Sequence, residues 1–251
     1  MATVNDIYEF IDKVAPFKSQ VEWDNSGLLV GDKNNEVTKV CVCLDVTERN
    51  LQKAIDMGAN LIVSHHPIIW DPMKFVPSDT VVSMAIRNRI NVISAHTNWD
   101  CAEGGVSNVL ATILGMPDAE PLEAEGELSM VYVGKLKTAV PARDFAELVA
   151  EALDTVVSLS CPDKMIETIA VCGGAGASFW PDVMGKADAL VTGEVHHHDY
   201  IDAEKNGLCL MAAGHYETET ISMPVLLALL KQEFADVEFT YLEDAPVIYI
   251  G

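Results

Sequence analysis

Val4, Ile7, Tyr8, Ile11 and Val14 recur at three- and four-residue intervals over residues 3 to 15, and Pro16 follows. That spacing predicts an opening amphipathic helix. Glu22-Trp23-Asp24-Asn25-Ser26-Gly27 reads as a loop, and Leu28-Leu29-Val30-Gly31 as a short strand ended by Gly31-Asp32. The rhythm changes at Lys39 to Asp45, where Val40-Cys41-Val42-Cys43-Leu44 is an unbroken apolar run of buried-strand length. Thr47 to Met57 then reads as a helix closed by Gly58, and Asn60 to Ser64 as a second buried strand. A helix around Asp79 to Asn88 and a strand at Asn91 to Ala95 extend the alternation. A βαβ order of this kind predicts a mostly parallel sheet covered by helices.

The stretch Met116 to Gly126, with Pro117, Pro121 and an acidic run, reads as a connector, so the expected division is an N-terminal α/β domain over residues 1–120 and a C-terminal one over 121–251. Beyond it, Leu128 to Leu136 alternates as a strand, Ala142 to Leu153 is helical behind Pro141, and Val156 to Ser160 is another strand. Ile166 to Cys172 and Ala189 to Thr192 are buried strands around a glycine-rich turn. A helix near Ile201 to Asn206, a strand at Leu208 to Ala212, one long helix from about Glu217 to Phe234 and a strand near Val237 to Tyr241 follow. The tail Val247 to Ile250 is too short to place and is free to pack back on the first domain.

The halves also resemble each other. Lys39 to Cys43, a helix, Ala59 to His66 and Asn91 to His96 form one copy; Thr168 to Cys172, a turn and helix, Ala187 to Glu194 and Leu208 to His215 form the other. Chance similarity of two βαβ units is the plain alternative. A duplication predicts two interlinked, pseudo-repeated α/β domains with a metal site in the cleft between them.

Composition narrows the partners. The chain carries 16 Lys plus Arg against 38 Asp plus Glu, a net charge of -22. Such a surface repels polyphosphate, so nucleic acid is an unsuitable partner, while carboxylates keep the chain soluble and attract cations. Half the residues are apolar (49%), as in a globular protein. The six cysteines sit mostly in apolar runs with no CxxC pair, where they behave as small hydrophobes. Neither a secretory leader nor an apolar run of about 18 residues is visible, so a cytoplasmic protein with reduced thiols is expected, without a membrane partner.

Chemistry gathers where strands end, which is where open α/β sheets bind ligands. His65 and His66 close the strand ending at Ser64, and Pro67 forces the backbone away. Adjacent imidazoles at a strand end face different ways and can serve two different ions. His96 and Asp100 follow the strand ending at Ala95. His215 and Glu219 stand i to i+4, about 6 Å apart along one helix face. A glutamate there has the reach to bridge two ions about 3.5 to 4 Å apart. Histidines held only by structural hydrogen bonds are the bland alternative. Imidazole with carboxylate suits Zn, Fe, Mn or Ni rather than Ca.

The run His196-His197-His198-Asp199 is tempting as a metal tract, yet three successive side chains cannot all point at one site. Glu194, His198 and Asp199 fit the cleft wall or proton transfer better, and His96, Thr97 and Thr192 fit similar or ligand-orienting roles. Gly173-Gly174-Ala175-Gly176-Ala177-Ser178 either offers amides to an anion or serves tight packing. The Trp23 to Gly27 segment is open between turn and cleft.

Six segments then occur in order: Trp23-Asp24-Asn25-Ser26-Gly27-Leu28, Ser64-His65-His66-Pro67, His96-Thr97-x-x-Asp100, Gly173-Gly174-Ala175-Gly176, Thr192-Gly193-Glu194 and Gly214-His215-x-x-x-Glu219. Together they resemble the dinuclear-metal-centre family labelled GTP cyclohydrolase I type 2-like, or Nif-three-like, over nearly the whole chain. The resemblance implies two interlinked α/β domains around two divalent ions, with ligand positions matching His65, His66, Asp100, His215 and Glu219. It also implies a ring-shaped homo-oligomer, typically a hexamer, in the compact form that lacks an inserted domain; the triple-histidine run departs from the commoner pattern. Two functions follow. In a metal-dependent hydrolase, water attacks a polarised carbon or phosphorus centre of a small molecule, at C8 of a guanine in the cyclohydrolase version, with His96, Glu194 and His198 moving protons. In a non-catalytic metal-binding regulatory or interaction protein, the ions sense supply or hold the halves together. Open, water-bearing coordination positions distinguish the first from the second.

Overall fold

The computed structural model describes residues 1–122 and 129–243; the tail at residues 247–250 and the end of the expected connector lie outside them. In chain order the regular elements are α1 (Val4–Val14), β1 (Gly27–Val30), β2 (Lys39–Cys43), α2 (Glu48–Asp56), β3 (Leu61–Ser64), α3 (Val81–Arg87), β4 (Asn91–Ser94) and α4 (Thr97–Asp100). There follow α5 (Val106–Ile113), β5 (Glu120–Pro121), β6 (Tyr132–Pro141), α6 (Ala142–Leu153), β7 (Ser158–Leu159), β8 (Met165–Val171), α7 (Trp180–Val183) and β9 (Ala189–Thr192). The last are α8 (His197–Lys205), β10 (Cys209–Ala212), α9 (His215–Thr220), α10 (Met223–Glu233) and β11 (Glu238–Tyr241). The α/β class expected from the alternating pattern is what the chain forms.

Local rules explain the helix starts. Thr3 and Asp6 exchange side-chain and backbone bonds in a capping box at α1, and Thr47 and Thr80 accept from the third helical amides of α2 and α3. The parallel strands β2, β3 and β4 are buried on both faces, which is why their sequences read as continuous apolar runs rather than as alternation. Strand order in the first sheet is β1-β4-β3-β2-β11, with only β1 antiparallel to its neighbour. The second sheet runs β5-β6-β8-β9-β10-β7, with β8, β9 and β10 parallel and β7 antiparallel beside β10.

The repeat visible in the sequence has a topological counterpart. In each sheet a short antiparallel strand (β1 or β7) borders the last parallel strand (β4 or β10), followed by the middle one (β3 or β9) and then the first (β2 or β8). Four strands entering in the same chain order and leaving in the same spatial order argue for duplication over chance.

The compact units are cut differently from a division at residue 120. One comprises Met1–Glu103 with Met223–Asp244, and Gly104–Ser222 makes the other. Two packing facts set this division. Leu110, Ala111 and Leu114 of α5 are buried in the same core cluster as Phe145, Ile169 and Met211 of the second unit. At the other end, β11 pairs with β2, register Val40 to Phe239, which returns the chain to the first unit. The single long helix expected from Glu217 to Phe234 is accordingly two helices. Pro224 lacks an amide proton and its ring crowds the carbonyl four residues back, so helical bonding cannot run through from α9 to α10.

Ile62, in the middle of β3, is fully buried and sits in a cluster with Cys41, Leu51, Val82 and Val92. Ile62→Ala is expected to cost about 2 to 5 kcal/mol of stability, read as a lower urea midpoint by circular dichroism with an unchanged slope.

Candidate metal centre

Three parallel strands of the first unit end side by side, and each delivers polar side chains just past its last residue. Pairing of β3 with β2 continues one step beyond the strand, as His65 N and His66 N donate to the carbonyls of Cys43 and Leu44. Next to it, β4 runs out into His96, and α4 turns immediately so that Asp100 N bonds back to His96 O at 3.0 Å. The buried indole of Trp99 and the bond from Asn98 Nδ2 to Ala15 O at 2.7 Å fasten this one-turn helix in the core. His65, His66 and His96 thereby each offer a ring nitrogen within 4.8 Å of the others. Asp100 joins through Oδ1, 3.7 Å from His65 Nε2.

The orientation of each ring is fixed from behind. His65 Nδ1 lies 2.9 Å from Ala95 O, His66 Nδ1 is 2.7 Å from Asp45 Oδ1, and His96 Nδ1 is 2.8 Å from Asp24 Oδ1. A carbonyl or carboxylate oxygen only accepts, so the proton of each neutral ring sits on Nδ1 and Nε2 carries the lone pair. This is the backing that metal-ligating histidines ordinarily have.

Asp24 is the most constrained of these supports. Its side chain is fully buried, and its second oxygen accepts from Thr97 N at 3.1 Å, Thr97 Oγ1 at 2.6 Å and Ser26 Oγ at 2.8 Å. Burial pushes the carboxyl pKa up, but the bonds from His96, Thr97 and Ser26 together with the charge of His96 outweigh it and hold the group far below the usual carboxylate range. The Trp23 to Gly27 segment, open between turn and cleft in the sequence, is therefore the brace behind His96.

The second unit repeats the device at the end of β10. His215 opens α9, its Nδ1 lies 2.9 Å from Glu194 Oε1, and its Nε2 lies 3.1 Å from Glu219 Oε1. With the Nδ1 proton engaged by Glu194, the nitrogen and oxygen facing each other at 3.1 Å are held by a shared proton or a shared cation. Glu219 is 3% exposed, and two glycines make room, one for its carboxylate and one for the backbone of His215. A Cβ on Gly174, whose φ is +60°, would stand 2.0 Å from Glu219 Oε1, and one on Gly193 would stand 2.7 Å from His215 Cα. The glycine-rich turn is thus a packing device. Two of its amides are spent on hydroxyls, Gly174 N to Thr218 Oγ1 at 3.0 Å and Gly176 N to Thr192 Oγ1 at 2.9 Å.

Of the residues singled out in the sequence, His65, His66 and Asp100 come together in the first unit, and His215 and Glu219 in the second. His96, expected as a proton carrier, lies within the histidine group itself. Glu194 backs His215, with a side chain 62% exposed. His198 stands on the exposed first turn of α8, 3.6 Å from Asp199, and belongs to none of the groups close enough to share an ion among the described residues. Sequence reasoning missed Asp24 and Asp45 as supports; both sit in loops whose approach to the histidines depends on tertiary contact.

A family model described as Duf34/NIF3 (NGG1p interacting factor 3) matches residues 2–246. The chain is 32% identical to the GTP cyclohydrolase 1 type 2 homolog of Clostridium perfringens, covering 96% of this chain and 97% of that protein. Among solved structures it resembles a Staphylococcus aureus hypothetical protein (TM-score 0.89, 26% identity, 99% of each chain) and reduced HcgD from Methanocaldococcus jannaschii (0.84, 29%, 97% and 98%).

Two substitutions test the supports. In Asp24→Asn one amide face must confront a donor, either His96 Nδ1–H or the Thr97 amide, and the expected cost is about 1 to 3 kcal/mol. Because the carboxyl pKa is depressed in the folded state, its stabilisation is complete above the ordinary carboxylate value and is lost as pH falls through the folded one. The stability advantage of wild type over Asp24→Asn should therefore shrink on acidification, measured by thermal melts of both from about pH 5 down to about pH 1. Gly174→Ala should displace Glu219 Oε1 from His215 Nε2 while the chain stays folded, as judged by a crystal structure of the variant beside circular dichroism.

Proposed function

Because the chain belongs to the Duf34/NIF3 family, we propose that it is a dinuclear metal-dependent hydrolase holding two divalent ions through His65, His66, Asp100, His215 and Glu219. One observation carries the reading: four imidazoles, in two units, all have Nδ1 engaged by an oxygen and Nε2 left as the lone-pair nitrogen. Structural histidines satisfied at random would not share that orientation. The donor set of imidazole nitrogens and carboxylate oxygens suits Zn, Fe, Mn or Ni.

Bound there, such ions supply Lewis acidity and a water acidified toward neutral pH. The chain's own residues do the rest. His65, His66 and His96 keep one tautomer because Ala95 O, Asp45 and Asp24 hold their Nδ1 protons, so His96 stands beside the five ligands as an imidazole whose Nδ1 proton is already engaged. Glu194, exposed and bonded to His215, both orients that ring and gives it a proton route to solvent. We give His198 no part in the reaction. The name carried by the Clostridium perfringens relative favours hydrolytic opening of a heterocyclic ring, water adding at a ring carbon and the adjacent carbon–nitrogen bond breaking.

We further propose a homohexameric ring acting in the cytoplasm. Among the described residues Met73, Phe75 and Val76 are exposed apolar side chains close in sequence, which suits burial against other copies. A single species of about six chain masses in light scattering is the result this reading expects.

Glu219→Gln is expected to lower bound metal from two ions per chain to fewer than one, measured by elemental analysis. Retention of both ions in a folded variant sinks the ligand assignment. Metal-loaded wild type should hydrolyse a member of a panel of GTP, cyclic amides and phosphoesters, and chelation should stop it. If two ions bind and nothing in the panel turns over, the non-catalytic metal-binding reading takes its place.

A further inference from the structure

Two tryptophans of the first unit remain outside the core although the protein has buried positions for rings of that size. Trp23 is 66% exposed and Trp70 is 51% exposed, whereas Trp99, beneath the same cluster, is fully buried. Both exposed indoles stand against the same imidazole. Trp70 meets His96 edge to face with centroids 5.1 Å apart, and Trp23 meets it likewise at 5.9 Å. Trp70 also lies 5.9 Å from His66. Each indole thus uses one edge or face on the histidine cluster and presents the remainder to solvent.

Their positions are built. Asp24, next to Trp23, is held by five hydrogen bonds, and Asn25 Nδ2 bonds Ile69 O at 2.7 Å, tying the Trp23 loop to the residue before Trp70. The two rings are therefore carried by loops that are fastened to each other and to the histidines. Rigid aromatic side chains beside a polar cluster are the ordinary means of binding a flat ring, because stacking needs only a π face on the ligand.

We infer that Trp23 and Trp70 form an aromatic rim that takes a planar heteroaromatic ring against the His66 and His96 side of the cluster, recognising the ring by its π face. The inference rests on the hydrolase reading and supplies the substrate class for it. The rim acts in binding and in specificity; the two tryptophans are not ligands of the ions.

The test uses metal-loaded full-length protein and the uncharged probes guanosine, pterin and nicotinamide, with tripolyphosphate as the anionic control. Binding is read by quenching of tryptophan fluorescence and, independently, by equilibrium dialysis. At least one ring probe should bind saturably, and Trp70→Leu and Trp23→Leu should each weaken that probe about tenfold while leaving any binding of tripolyphosphate, which has no π face, unchanged. Trp70→Phe should restore most of the affinity, since it keeps a π face. All three variants should retain wild-type metal content and assembly mass, because the rings are exposed and outside the donor set. Failure of every ring probe, affinities within about twofold in both Leu variants, an equal loss of tripolyphosphate binding in those variants, or a change of assembly mass in place of affinity overturns the inference. The two readings fail separately: stacking without turnover of any ring leaves the rim standing and sinks the hydrolase, whereas turnover with affinities indifferent to both tryptophans sinks the rim alone.

Discussion

An imidazole becomes a dependable ligand only when something else holds its second nitrogen, and that constraint organises this molecule. A carbonyl oxygen behind His65 and carboxylates behind His66, His96 and His215 decide where four protons sit. Each of these acceptors has to be brought in by a separate piece of chain: Ala95 from the neighbouring strand end, Asp45 from the loop after β2, Asp24 from the loop before β1, and Glu194 from the loop after β9. The sheets exist, in functional terms, to line up those loop ends, and the buried parallel strands are what makes the alignment stiff. Glycine at positions 174 and 193 belongs to the same scheme, since a single added carbon at either would displace the groups the strands were arranged to present.

The legible part of this structure was the part written locally. Apolar runs announced β2, β3, β4, β8, β9 and β10, and histidines directly after three of the strand ends announced where chemistry collects. The i to i+4 pair His215 and Glu219 was readable because helix geometry alone sets that separation. What resisted reading needed partners distant in sequence. Asp24 is 72 residues from the histidine it holds, and no pattern of spacing distinguishes it from any other acidic loop residue. His96 was legible only as a polar group past a strand end, because its role depends on whether the loop at residue 24 or the solvent stands behind it. The division into units near residue 120 was sought at the most loop-like composition. The actual division follows core packing, and α5 commits to the second unit before the loop-like stretch begins. The long helix read from Glu217 to Phe234 shows a different gap: a proline in the first turn of α10 was outweighed by the apolar periodicity on both sides of it.

The repeat accounts for features that neither half explains alone. Strand for strand the two sheets share one topology, yet their ends are furnished differently. The middle strand of the first ends in two histidines, while that of the second ends in Gly193 and Glu194, so one copy supplies ring nitrogens where the other supplies space and a carboxylate. Equal scaffolds furnished unequally thus give the middle strands different parts, paired imidazoles in one copy and a support for His215 in the other. The exposed tryptophans Trp23 and Trp70 belong to the first copy, which gives that copy a face for a flat ligand.

The return of the chain through α10 to place β11 beside β2 has a consequence for how the protein is made. As the ribosome releases it, the first sheet cannot be finished by the segment that begins it, since the last described strand belongs to the same sheet as the first. Until residues 238–241 emerge, β2 carries an open edge rather than a partner. The Gly104–Ser222 unit, by contrast, has its whole sheet in hand as soon as β10 is synthesised. The later unit is therefore free to close its sheet before the earlier one has received its last edge strand.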